Sequence, residues 1–332
     1  MRICIIGAGA IGGMLGARLA LAGEQVTFIE KNPVHAHAIR TDGLRVEADG
    51  DAIVATGIAV TDDFAQAGEQ DLVVIAVKAH QIPLLVPELR SLFGPSTMVM
   101  TVQNGIPWWY FFKHGGEYDG RRIDAVDPSG AIDEAIERER IVGCIVYPAG
   151  EVTAPGVIHV VEGNRFSVGE LDGSHTERIE ALSALLVRAG FKSYVLDDIR
   201  AEIWLKLWGN LSFNPISALT RATLAGICRN PYTRALAAAM MGEAQQIGEK
   251  LWITFRHTIE KRIAGAEGVG EHKTSMLQDV EAGRTLEIEA LVGAVVELGR
   301  LTGTPTPHIE SVYQCVKGLE ETLSRQAVAV PA

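Results

Sequence analysis

The first thirty residues constrain this chain more than any other stretch. Arg2-Ile3-Cys4-Ile5-Ile6 is an apolar run of strand length, and Gly7-Ala8-Gly9-Ala10-Ile11-Gly12 follows it directly. Met14, Leu15, Leu19 and Leu21, with alanines among them, give a helix with a small-residue face that Gly23 ends. Gln25 to Ile29 reads as a second strand closing on Glu30. Strand, G-x-G-x-x-G, helix, strand and acid together form the fingerprint of a dinucleotide-binding βαβ unit. Gly7 permits the tight turn off the strand, Gly9 lets backbone approach a pyrophosphate, and Gly12 allows the helix to pack closely on the strand. The free N–H groups at the helix start then face the phosphates. Glu30 stands where an acid accepts hydrogen bonds from a ribose diol.

At 332 residues the chain has room for two domains. Its 30 basic against 41 acidic residues, net −11, argue against a nucleic-acid surface and against attraction to anionic membranes. Cys4, Cys144, Cys228 and Cys315 are scattered, with no C-x-x-C pair, as expected of reduced core thiols in a cytoplasmic protein. No Cys/His cluster has metal spacing, so no metal is expected. Arg18 within the first helix argues against a signal peptide, and no apolar run reaches membrane-spanning length.

After Glu30 and Lys31, Asn32-Pro33 marks a loop, and His35 and His37 read as solvated, since no third ligand is near. Asp71 to Val77 is a continuous apolar run, typical of a parallel strand covered on both faces. It ends in Lys78, and the next strand, Thr97 to Val102, ends in Gln103-Asn104-Gly105. Lys78 and Asn104 thus stand at the carboxyl ends of successive strands, where open parallel sheets bind ligands. Trp108-Trp109-Tyr110-Phe111-Phe112 reads as a lid, a pocket wall or a partner interface. Val142 to Tyr147, Gly156 to Val161 and Arg165 to Val168 read as strands extending the sheet in a more antiparallel style.

From Ile199 helical patterns dominate, which places a domain boundary near Asp197: residues 1–197, then a helical domain over 198–332. Lys206, Asn210 and Asn214 recur at four-residue spacing on one face of a helix expected to run to Asn214 and stop before Pro215. Two amides and an ammonium among tryptophans and leucines are costly to bury without polar partners. Such a stripe suits a small anionic substrate, although a solvated helix face has the same pattern. Ser275 begins a Ser-x-x-Gln capping box, and Glu287 lies at the start of a later helix.

These segments, taken together, resemble the ketopantoate reductase family. The resemblance is carried by G-x-G-x-x-G, Val77 to Gln81 (VKAHQ), Gln103 to Gly105 (QNG), Lys206 to Pro215 (KLWGNLSFNP), and Thr274 to Glu289 (TSMLQD…RTLEIE). It implies an α/β fold with an N-terminal Rossmann domain, a second all-helical domain, and an active-site cleft between them. It implies Lys206 as catalytic lysine with Glu287 as the acidic substrate-binding partner, and Asn210, Asn214 and Ser275 at the substrate. Gly7 to Gly12, Glu30, Lys31, Lys78 and Asn104 fall to the cofactor, Asn104 also helping to shape the substrate site. The implied reaction is reduction of ketopantoate to pantoate, on the route to pantothenate and coenzyme A.

Two departures bear on detail. The family commonly places an arginine after the second strand to grip the 2′-phosphate of NADP(H), so the resemblance implies NADP(H), whereas the Glu30-Lys31 that stands here points on charge to NAD(H). The aromatic segment 108–112 lies outside the family pattern and raises a rival reading, a bulkier (aryl) 2-keto acid as substrate. A non-catalytic dinucleotide-binding regulator is the other rival. A small 2-keto acid is the expected partner, and a homodimer is compatible with a sequence that does not fix oligomeric state.

Overall fold

The computed structural model describes residues 1–48 and 50–329. Backbone proximity divides the chain into two compact units. The first comprises residues 1–103, 111–122 and 129–199; the second comprises 104–110, 123–128 and the chain from Arg200 onward. Two short pieces near residues 104–110 and 123–128 thus join the helical unit, an exchange that no composition shift announces.

The first unit opens with β1 (Arg2–Ile6), α1 (Ala10–Leu21), β2 (Gln25–Ile29), α2 (Pro33–Asp42), β3 (Leu44–Ala48), β4 (Asp51–Ala55) and β5 (Ala59–Thr61). It continues through α3 (Phe64–Ala67), β6 (Gln70–Ile75), α4 (Val86–Leu89), β7 (Phe93–Thr101) and α5 (Ala131–Ala135). It closes with β8 (Ile141–Val146), β9 (Ala149–Ala154), β10 (Val157–Glu162), β11 (Phe166–Gly169) and α6 (Glu177–Arg188).

Seven strands form the main sheet in the order β11-β8-β7-β6-β1-β2-β5. All neighbours run parallel except β11, which is antiparallel to β8. β1 is an interior strand: Ile3 pairs with Val26 on one side and Leu72 on the other. Continuous apolar runs suit this place, because parallel strands under helices bury both faces; Ile3, Cys4 and Ile5 are wholly buried. The order reverses between β1 and β6, the switch point at which doubly wound sheets bind ligands.

Gly156 to Val161 departs from expectation. Its strand β10 does not extend the main sheet but lies in a separate one, ordered β4-β3-β10-β9. β10 pairs parallel with β3 and antiparallel with β9. Short strands with alternating texture carry no mark of which sheet they join.

The helical unit contains α7 (Ile199–Thr220), α8 (Leu224–Arg229), α9 (Pro231–Lys250), α10 (Ile259–Val269) and α11 (Ser275–Glu281). A π-helical turn, Glu289–Gly293, leads into α12 (Ala294–Leu301), and α13 (Pro307–Ala329) follows. α7 runs straight through Pro215 rather than ending at Asn214. A mid-helix proline forfeits a hydrogen bond and costs about 3 kcal/mol, which burial of Leu211, Phe213, Ile216 and Ala218 around it offsets. Glu243 on α9 is buried because its carboxylate accepts from the His308 and Ile309 N–H groups, capping α13.

The aromatic segment is neither lid nor exposed interface: each of residues 108–112 is at most 3% exposed. In the helical unit, the Tyr110 hydroxyl accepts from Trp204 Nε1 at 2.7 Å, and its carbonyl accepts from Arg200 at 2.7 Å. In the first unit, the Arg138 guanidinium lies 4.1 Å from the Phe112 ring centroid. Cys4, Cys144 and Cys228 are buried free thiols, as expected, while Cys315 is exposed. Burial pushes the Cys4 thiol up to about 12. No helix among the described residues is long and apolar enough to cross a membrane.

Candidate active site

In the first unit the glycine-rich turn leaves β1 with Gly7 at φ +98°, a conformation that side chains oppose. A Cβ on Gly12 would stand 2.1 Å from the Gly7 carbonyl oxygen and 2.8 Å from Ala76 Cβ, so only glycine lets α1 sit this close to the strands. At Gly9, by contrast, a Cβ would meet nothing within 4 Å. This open face, over the free N–H groups of the first turn of α1, fits a pyrophosphate.

Glu30 is turned into this turn. One carboxylate oxygen accepts from the Ala8 N–H at 2.9 Å, the other from the Asn32 N–H at 2.8 Å. Lys31 is exposed, 3.7 Å from a Glu88 carboxylate oxygen. Asn32 caps α2, accepting from Val34 and His35 N–H groups. Lys78 follows β6, half-buried, with its N–H bonded to the Gln81 side chain at 3.0 Å.

In the helical unit Lys206 is half-buried on α7, and its Nζ donates to Asn104 Oδ1 at 2.6 Å. The turn bearing Asn104 is seated on the π-helical segment: the Ile106 N–H donates to the Ala290 carbonyl at 2.8 Å. Gly105 has φ +90°, and a Cβ there would lie 2.3 Å from that same carbonyl oxygen. Glu287, half-buried, precedes the π turn by two residues. Two turns beyond Lys206, the buried Asn214 donates from Nδ2 to Ser275 Oγ at 3.4 Å. Asn210 lies between them on the stripe, half-buried. Among the described residues, no group of three or more His, Cys, Asp or Glu is placed to hold a metal ion.

The capping box expected at Ser275 is displaced by one residue. Thr274 is the cap of α11, its Oγ1 accepting from the Leu277 N–H, and Ser275 is the first helical residue. Its hydroxyl is therefore available to Asn214 rather than to the backbone.

Two comparisons decide the family. The ketopantoate reductase PanE/ApbA model matches residues 3–173, and the corresponding C-terminal model matches residues 198–320. The chain belongs to the ketopantoate reductase family. A 2-dehydropantoate 2-reductase from Mesorhizobium japonicum is 52% identical over 319 residues, covering 96% of this chain and 98% of the relative. The crystal structure of a Ralstonia solanacearum protein assigned as a ketopantoate reductase superposes with TM-score 0.92 at 40% identity, covering 97% and 98% of the two chains. A D-mandelate dehydrogenase solved with NADH and anilino(oxo)acetate shares the fold at TM-score 0.83 and 21% identity, covering 98% and 100%.

Within this family fold, sequence reasoning missed one residue beside the site. His35, expected to be solvated, is only 6% exposed and bonds the Ala8 carbonyl at 2.9 Å. Its place in the first turn of α2, three residues after the Asn32 cap, was the available signal. The first turn of a helix packed beside the end of β2 is near the glycine-rich turn by construction.

Proposed function

We propose that this chain reduces the 2-keto group of 2-dehydropantoate to give pantoate, using a reduced nicotinamide dinucleotide. Family membership over both units supports the reaction class. The observation that carries the chemistry is the 2.6 Å bond from Lys206 to Asn104. A bound reduced nicotinamide supplies the hydride that adds to C2 of the keto acid. As charge gathers on the carbonyl oxygen, Lys206 donates a hydrogen bond and then its proton, which solvent restores. Asn104 accepts one of the three ammonium N–H groups and so aims the others, without competing for the proton.

Asn210 and Asn214, neutral donors on one stripe of α7, and Ser275 of α11, which Asn214 reaches, are assigned to the substrate carboxylate and hydroxyl end. Glu287 is assigned to substrate positioning and to offsetting a half-buried cation. The aryl-substrate reading loses much of its motive, because the aromatic segment is buried.

On the cofactor, a carboxylate held at the end of β2 accepts from a ribose diol and repels a 2′-phosphate, while the exposed Lys31 partly compensates. NADH is therefore usable, with weak discrimination between NADH and NADPH. Steady-state kinetics with ketopantoate and each reduced cofactor test both points. Absence of turnover would overturn the reaction, and a thousandfold preference for NADPH in kcat/KM would overturn the role given to Glu30.

A further inference from the structure

We propose that His35 is a positioning residue for the dinucleotide site, a neutral imidazole that fixes the Ala8 peptide of the glycine-rich turn to the small second sheet. The proposal rests on reading the first unit as a dinucleotide site. The ring is buried, and its two nitrogens face different partners. The Gly156 N–H donates to Nδ1 at 3.0 Å. A backbone N–H can only donate, so Nδ1 carries no proton, and the ring proton resides on Nε2. Nε2 lies 2.9 Å from the Ala8 carbonyl, to which it donates. No other tautomer, and no doubly protonated ring, satisfies both contacts.

Ala8 is thereby held on both sides. Its N–H goes to Glu30 at 2.9 Å, and its carbonyl goes to His35. A trans peptide points its carbonyl and the following N–H in opposite directions. With the Ala8 carbonyl tied to His35, the Gly9 N–H is aimed away from the imidazole. Gly9 is the N-cap of α1, at the open face that fits a pyrophosphate. The orientation of a phosphate-facing donor thus depends on a side chain that touches no phosphate.

The anchor at the other end is firm. Gly156 occupies the turn between β9 and β10 with φ +74°, and its carbonyl accepts from the Arg45 N–H of β3 at 2.9 Å. The same sheet meets α1 directly, since a Cβ on Gly13 would stand 2.1 Å from Ile158 Cδ1. The second sheet therefore braces the cofactor turn at two points, one through packing and one through His35.

The test is equilibrium binding of NADH and of NADPH, each alone and without keto acid, followed by nicotinamide fluorescence. His35→Leu removes donor and acceptor, and should weaken binding about 10- to 100-fold, the scale of one or two lost hydrogen bonds. His35→Gln offers an amide N–H and an amide oxygen at similar reach, and should restore binding to within about fivefold on the same scale. Ile39→Ala, in α2 but away from the turn, should lower the melting temperature and leave binding unchanged. An undiminished affinity in His35→Leu, or an equal loss in Ile39→Ala, would overturn the proposal. If His35→Leu does not fold, imidazole nitrogen–proton correlation NMR of the parent decides, with His35→Gln identifying the signal. A proton on Nε2 supports the proposal and a proton on Nδ1 overturns it. Because no keto acid is present, failure here is separate from failure of the ketopantoate reading, which turnover alone reports.

Discussion

Lys206 and Asn104, 102 residues apart in sequence, meet at 2.6 Å, with the ammonium donating to the carboxamide oxygen. The amide gives the lysine a fixed direction without neutralising it. Lys206→Ala should cost roughly 10²–10⁴ in kcat, the usual range for a positioned acid. Asn104→Ala should cost less, because the proton donor survives and only its aim is lost. Single-turnover rates with ketopantoate measure both. A Lys206→Ala enzyme within about tenfold of the parent kcat would remove the general-acid role.

Thr274 and Ser275 are neighbours with separate duties. Thr274→Ala removes the cap of α11 and should lower stability by about 1 kcal/mol, read by urea unfolding. Ser275→Ala should leave stability nearly unchanged and raise KM for the keto acid, because its hydroxyl bonds Asn214 and not the helix backbone. If both variants lose stability equally, Ser275 belongs to the helix and not to the substrate.

Trp108 and Trp204 are both buried, yet their indole N–H groups differ. That of Trp204 donates to the Tyr110 hydroxyl, whereas that of Trp108 has no partner among the described residues. Trp204→Phe should therefore cost about 1–3 kcal/mol, leaving a buried hydroxyl short of a donor. Trp108→Phe loses packing volume but no hydrogen bond, and should cost less. Denaturant midpoints rank the two, and relative kcat/KM among 2-keto acids should not move in Trp108→Phe.

Glu170 carries an acid-sensitive part of the first unit's stability. Burial would raise its carboxyl, but hydrogen bonds from Arg178 and Thr176, with the Arg178 charge, hold it below the ordinary value. A group depressed in the folded state stabilises above its unfolded pKa and loses that contribution as pH falls through the folded one. Glu170→Gln should be less stable than the parent by about 2–3 kcal/mol at neutral pH, below the cost of breaking a fully buried pair because Arg178 is one-third exposed. The gap should shrink as pH falls below the ordinary carboxyl value of 4.5. Unfolding curves across pH 3–7 check this, and a gap independent of pH would assign the loss to packing.

Legibility in the sequence followed distance along the chain. The βαβ unit was readable because its requirements, from Gly7 to Glu30, fall within one local fingerprint. The stripe of Lys206, Asn210 and Asn214 was readable because helical periodicity puts four-residue neighbours on one face. His35 was not, because its acceptor role depends on Gly156, 121 residues away. The sheet joined by β10 was hidden for the same reason. Thr274 and Ser275 defeated the reading differently: both are good caps, and a one-residue shift exchanges their roles. Pro215 misled because local propensity yielded to burial.

The π-helical turn at Glu289–Gly293 amounts to a phase setting. An ordinary helical residue advances the chain by about 100° around the axis, and a π turn holds one residue more than an α turn. Deleting one residue there would restore a plain helix and rotate Glu287, with all that precedes it, by roughly 100° relative to α12. The apolar face of α12, with Val295 and Leu298, would stay seated while the carboxylate swung away and the Ala290 carbonyl left Ile106. One surplus residue thus sets the angle between the buried face of α12 and the acid that stands just before the helix, an angle that one regular period does not supply.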